Sequence, residues 1–292
     1  MCCMTSHPAQ RFAAPSAIEH GVPLKDLMDR RLVTLIGESL ADVMSDFDER
    51  RFRSRAVRGL KKLELKDRAL HIANAMAEQL PSNFDDLAPL LIESLGPPLE
   101  KTEDNGLAPF FYFPHAQLIA TYGVSSFESG MQANYELTQR FTAEFSIRPF
   151  LVEHQAKCLR MLARWTKDSS PHVRRLVSEG TRPRLPWAMR LRGFQDDPSL
   201  CLPLLEKLKD DSELYVRRSV ANHLGDIAKD HPDFVFDLCE TWIAEAEESP
   251  APEQSKNRRW IVRHAVRHPA KQQHPRAIAI REAAAEPRKR RS

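Results

Sequence analysis

The sequence predicts an all-α fold assembled from helix pairs in tandem, and three observations lead there. Ten glycines in 292 residues, with β-rich stretches scarce and Leu, Ala, Arg and Glu dominant, disfavour a sheet or a phosphate-cradling α/β fold. Amphipathic segments at three- and four-residue spacing follow one another along the chain. A motif centred on a Val-Arg pair then recurs 43 residues later. With 42% hydrophobic residues the chain has enough apolar mass for a large core.

Residues 1–21 lack periodicity and read as a flexible extension, so the fold is expected to start near Val22. Four segments come next, at 23–44, 48–65, 66–81 and 83–98, each stopping at Pro, Gly or an Asp/Asn-containing joint. Further on, KDSSPHVRRLVSEG from Lys167 aligns without a gap on the stretch from Asp210, placing Val173-Arg174-Arg175 on Val216-Arg217-Arg218. A looser copy puts Val262-Arg263-His264 at the same place 46 residues later. Periods of roughly 40–47 residues with two helices per unit are the mark of HEAT-like solenoids. One repeat domain is therefore expected over 22–275, followed by a basic, flexible tail over 276–292 that ends in RKRRS. A solenoid closes its own core, so a monomer is expected.

Charge is unevenly distributed. Residues 1–139 hold 14 Lys+Arg against 19 Asp+Glu, a net −5, and 140–292 hold 29 against 21, a net +8. Such asymmetry points to a polyanionic partner for the second half. The five cysteines, at 2, 3, 158, 201 and 239, form no C-x-x-C pair and have no histidine at metal-ligand spacing, so no metal and no cofactor is expected. Reduced thiols and the lack of an apolar leader or membrane-length run point to a cytoplasmic protein, nucleoid-associated when on DNA.

The densest chemistry lies in RRLVSEGTRPRLPW, 174–187, where four arginines surround Glu179 and a tryptophan follows a proline. Helical spacing gives Val216, Val220, Leu224 and Ile227 one apolar stripe and puts Arg218, Asn222 and Asp226 on another face. Arg175 and Glu179 share a face on the preceding copy. Arg174 and Arg217 read as links between repeats. A carboxylate at the C-terminal end of a helix opposes the macrodipole, which argues for a duty for Glu179 beyond solvation, although a salt-bridged surface glutamate is the other reading. Pro186 suits the first position of a helix, which would hold Trp187 in that helix's first turn. Arg182 and Arg184 flank the joint, either as phosphate contacts or as surface arginines beside a core tryptophan. Glu144 follows an aromatic run, and Arg148-Pro149 begins another helix.

LTQRFTAEFSIRPFL, HVRRLVSEGTRPRLPWAMRLRGF and YVRRSVANHLGDIAKDHPD, in that order, resemble the bacterial DNA alkylation repair glycosylases of HEAT-like repeats, the AlkC branch more than the AlkD branch. The resemblance spans roughly Val22 to Lys271. It implies an all-α, right-handed, C-shaped solenoid whose concave basic surface holds duplex DNA containing alkylated bases. It also implies monofunctional release of cationic bases such as 3-methyladenine. By the same resemblance Glu144, Glu179 and Asp226 would be the acids of the active site, with Trp187 beside the lesion. Arg148, Arg175, Arg182, Arg184 and Arg218 would be DNA-backbone contacts. The chain has neither the length nor the strand pattern for the immunoglobulin-like domain that some AlkC proteins append. The competing expectations are a non-catalytic HEAT-like scaffold binding DNA or protein, and a damage-sensing module.

Overall fold

The computed structural model describes residues 6–285 and contains no strand among them; it is an all-α helical repeat fold. The chain divides into two compact units, residues 1–154 and 155–292, where a single domain over 22–275 was expected.

In the first unit the helices are α1 (Arg30–Ala41), α2 (Glu49–Val57), α3 (Leu65–Ala77), α4 (Phe84–Glu93), α5 (Phe113–Tyr122), α6 (Phe127–Thr138) and α7 (Ile147–Glu153). Asp29 and Asp48 cap α1 and α2 by accepting from Leu32 N and Arg51 N, satisfying backbone donors that a helix start leaves open. α1 turns Leu32, Val33, Ile36 and Leu40 inward at helical spacing, and Phe52 of α2 lies against Gly37, where a side chain would crowd the ring. α1 packs on α2, α3 on α5, and α4 on α6. Close approach also fixes Gly130 of α6, whose Cβ would fall 2.4 Å from the Phe150 ring of α7.

The N-terminal segment differs from the expected flexible extension. His7 caps a short 3-10 turn, Pro8–Arg11, and Phe12 is buried with its ring 5.9 Å from that of Phe111. Arg11 pairs with Glu38 at 2.5 Å, and Pro15 O accepts from Leu107 N. A turn of four residues is too short to show a helical period, which is why the sequence does not announce it.

The second unit contains α8 (Gln155–Trp165), α9 (Pro171–Gly180), α10 (Arg192–Asp196), α11 (Leu202–Leu208), α12 (Leu214–Ile227), α13 (Pro232–Glu248), α14 (Pro252–Ala265), α15 (Arg267–Lys271) and α16 (Pro275–Ala283). α9, α12 and α14 stack in succession, with α8 against α9, α11 against α12, and α13 against α14. The repeat is visible in hydrogen bonds. Arg174 Nη1 donates to the carbonyls of Asp168 and Ser169, and Arg217 Nη1 to those of Asp211 and Ser212, the same positions one repeat on. Arg174 also forks onto Asp211 at 2.6 and 3.1 Å, joining adjacent repeats. The apolar stripe of Val216, Val220, Leu224 and Ile227 is buried as its spacing predicts.

Residues 276–283, expected to be part of a flexible tail, are instead helical: α16 buries Ala277 and Ile280 while Arg276 bonds Asp237 and Glu240 of α13. The RKRRS run lies outside the described residues.

Candidate active site

α9 ends at Gly180, and Thr181 closes it by donating its hydroxyl to Val177 O. This leaves Glu179 in the last turn, only 5% exposed. Its Oε1 accepts from Arg182 Nη1 at 2.6 Å and its Oε2 from Ser219 Oγ at 2.5 Å, with Arg175 3.4 Å away. Burial alone would raise the Glu179 pKa. The charges of Arg175 and Arg182 and the Ser219 hydroxyl outweigh burial, so the carboxyl is held below its ordinary value and stays ionised.

Asp226, near the end of α12, is 3% exposed. Its Oδ2 accepts from Arg182 Nε at 2.8 Å and Nη2 at 2.7 Å, and its Oδ1 from Lys229 Nζ at 2.8 Å. Arg182 is thus a bridge between two buried carboxylates, and its pKa is raised; burial lowers it, but Glu179 and Asp226 more than compensate. Its fork geometry suits the task, since each edge of the guanidinium presents donors to a different acid. The expectation of a phosphate contact at Arg182 gives way to this internal role.

The loop from Pro183 to Leu191 presents Trp187. Buried Leu185 and Leu191 anchor it, Leu191 N donates to Pro183 O, and Arg184 grips Asp230 with bonds of 2.6 and 2.5 Å. Arg184 is therefore also engaged by the protein. Trp187 does not begin a helix; it occupies a turn at φ 63° with 62% of its surface exposed. A bulky side chain in the left-handed region is strained by about 1–3 kcal/mol, a condition that clusters at functional sites. Pro186 serves as the leading residue of the turn instead of a helix start.

The remaining expected residues fall as follows. Arg175 pairs with Glu179 and lies 5.2 Å from the Tyr215 ring centroid, a cation–π arrangement. Arg218 projects from the exposed face of α12. Glu144 belongs to the first unit, half-buried in the turn before α7, where its Oε2 accepts from Thr142 Oγ1 at 2.8 Å. Arg148 is fully buried within α7, out of reach of a DNA backbone, so its expected role there is corrected to a place in the core of the first unit.

Sequence reasoning missed three residues. Ser219 holds Glu179. His223, fully buried, has Nδ1 3.0 Å from Ser178 O, and since a carbonyl only accepts, Nδ1 carries the proton. Burial, then Arg182, push the His223 pKa down to about 4, so the ring is neutral and supplies no acidic proton near neutral pH. Arg267 donates to Asn222 Oδ1 at 2.9 Å and lies close enough to Arg182 and Asp226 to feel both. The signal for several of these contacts was the repeat itself, because partners sit 40 to 46 residues apart. No group of three or more His, Cys, Asp or Glu among the described residues could hold a metal ion, and no described helix is long and apolar enough to cross a membrane.

Residues 137–268 match a family described as DNA alkylation repair enzyme. A protein of Bacillus subtilis (strain 168), named uncharacterized protein YhaZ, is 32% identical over 258 residues, spanning 88% of this chain and 67% of its own. A solved structure, the Pseudomonas fluorescens alkylpurine DNA glycosylase AlkC bound to DNA containing an abasic site analog, matches with a TM-score of 0.77 at 35% identity. That match covers 92% of this chain and 68% of the other.

Proposed function

Since the chain belongs to the AlkC/AlkD-type family of DNA alkylation repair glycosylases, we propose that it hydrolyses the N-glycosidic bond of cationic N-alkylated bases in duplex DNA, 3-methyladenine among them. A base alkylated on a ring nitrogen already carries a positive charge. Its departure takes the C1′–N bonding pair, leaves the base neutral and needs no general acid, which agrees with the neutral His223. The barrier then lies in the cationic character that builds on the sugar. Anions fixed beforehand stabilise that charge without reorganising.

The observation that carries this reading is the pair of carboxylates, Glu179 and Asp226, on one shared arginine. Their oxygens are not equivalent. Both Glu179 oxygens and Asp226 Oδ2 accept from buried side chains, whereas Asp226 Oδ1 accepts from Lys229, whose side chain is 56% exposed. A substrate or water can displace an exposed lysine far more cheaply than a buried guanidinium. We therefore assign Asp226 Oδ1 to the water: it accepts the water's hydrogen bond and then its proton as the oxygen adds to C1′. Trp187 offers an exposed π face to the cationic base or sugar, worth roughly 0.5–2 kcal/mol. Arg175 and Arg218 are the backbone contacts this reading retains.

The test is release of free base from methylated duplex DNA at low salt by wild type and by Asp226→Asn. Wild type should release 3-methyladenine, with hypoxanthine and uracil released far more slowly, because neutral bases lack the built-in leaving-group charge. The variant should be slower by about 10²- to 10⁴-fold while still binding DNA. No release by either protein, with binding intact, would identify a non-catalytic scaffold.

A further inference from the structure

In the first unit, at the opposite extreme of the composition, four arginines converge on one surface groove. α2 reads ERRFRSRAV: Phe52 and Ala56 face the core, and Arg50, Arg53, Ser54 and Val57 therefore share the outer face at helical spacing. Arg58 follows as the helix ends, and Arg30 opens α1 alongside. Together these six residues line a groove of about 360 Å³ with no carboxylate among them.

Two features separate this cluster from a solvated charged face. First, the same unit gives many of its arginines to acids: Arg11 to Glu38, Arg55 to Glu78, Arg68 to Asp26 and Arg140 to Glu136. The side chains of Arg30, Arg50, Arg53 and Arg58 make no hydrogen bond or ion pair among the described residues, although residues 1–139 carry a net charge of −5. Second, Arg30 and Arg50 occupy the first turns of α1 and α2, where the macrodipole disfavours a cation and attracts an anion. Glu49 precedes Arg50 in the first turn of α2 but does not line the groove. Asp29 and Asp48 cap their own helices, and Asp29 and Asp26 line a neighbouring cavity rather than this groove. Like charges at two helix starts cost stability unless an anion gathers them.

We propose that this groove is a phosphate-binding site for the phosphodiester backbone of DNA, separate from the carboxylate site. Guanidiniums suit the task because their planar forks match phosphate oxygens, and Ser54 adds a hydroxyl donor. The groove's volume exceeds that of a single phosphate group, leaving room for more than one backbone phosphate. The proposal takes DNA as ligand from the family reading but does not depend on base release.

The test uses the full chain and undamaged duplex DNA, so a protein without glycosylase activity gives the same readout. Affinity is measured by fluorescence anisotropy across a salt series for wild type and for the Arg50→Gln, Arg53→Gln, Arg58→Gln triple variant. Each lost phosphate contact should flatten the dependence of log K on log[salt] by about 0.9, for a change of roughly 2–3 in slope. Wild-type urea unfolding in the variant checks the fold, and the charge-reversed Arg53→Glu alone should weaken binding in the same direction. An unchanged slope would overturn the proposal. Titration with inorganic pyrophosphate then says which alternative holds: binding by wild type and not by the variant would mark a site for free polyphosphate, and no binding by either a merely solvated face.

Discussion

Replacing Arg182 with alanine removes the cation that Glu179 and Asp226 share. Three charge-assisted bonds go with it, at 2.6 Å to Glu179 and at 2.8 and 2.7 Å to Asp226. Removing one partner of a buried ion pair costs about 3–5 kcal/mol, because the charge left behind has lost its solvation and its partner. Here each acid keeps something: Glu179 retains Ser219 and the more distant Arg175, and Asp226 retains Lys229. The expected loss is therefore near the lower end, about 3 kcal/mol. Tryptophan fluorescence during urea unfolding isolates the right transition, since Trp165, Trp187, Trp242 and Trp260 all lie in the second unit. The pH dependence adds an independent check. Glu179 has a folded pKa below its ordinary 4.5, so its ionised contacts stabilise fully above that value and are lost as pH falls through the folded one. The gap between wild type and variant should accordingly be widest near neutral pH and should narrow as pH falls below 4.5 toward the lower folded value. A loss under about 1 kcal/mol, the range of solvent-screened surface pairs, or a gap independent of pH, would refute the bridge.

Two further substitutions probe local geometry. At ordinary positions glycine is less stable than alanine by roughly 0.5–1 kcal/mol, but at Trp187, with φ 63°, Trp187→Gly should equal or exceed Trp187→Ala in urea unfolding. The usual order would mean that the turn relaxes when the ring is removed. Gly130→Ala should destabilise by about 1–3 kcal/mol in thermal unfolding followed by circular dichroism, because its Cβ would sit 2.4 Å from the Phe150 ring and 2.6 Å from Gly123 O. A neutral result would show that α6 and α7 have slack.

What could be read from the sequence follows from which forces leave a periodic trace. Burial of one face repeats every three or four residues, so the stripe on α12 and the 43-residue register are legible in the sequence. The structural duty of Arg174 and Arg217 was visible for the same reason. Trp187 was not, because Pro186 serves equally as a helix start and as a turn residue, and the burial of Leu185 and Leu191 decides between them. The resemblance makes Arg182 and Arg184 DNA contacts, and nothing local in the sequence points instead to their acids, Asp226 and Asp230, which lie 44 and 46 residues away. One repeat along is one neighbour away in space, but the 43-residue offset lands one residue short of Asp226 from Arg182 and three short of Asp230 from Arg184, so the register alone does not pair them. Arg148 had no such clue: nothing in FSIRPFL distinguishes an arginine folded into the core from one at a groove.

These pairings change what the net charge of +8 in the second half means for catalysis. The excess does not reside on Arg174, Arg182, Arg184 and Arg258, which are each engaged by carboxylates of the same half, so other cations carry it. Two anions beside a polyanion would repel both each other and the DNA. Arg175, Arg182 and Lys229 turn the Glu179–Asp226 cluster from −2 to +1, so a phosphate backbone can approach it. On the proposed reading, that approach also arms the site. Lys229 is the exposed member, and a phosphate that draws its ammonium away uncovers Asp226 Oδ1, leaving an anion whose other oxygen is still gripped by Arg182. The carboxylate would then be most available when DNA is bound and best shielded when it is not, so three cations balance the charge and one of them, Lys229, controls the acid.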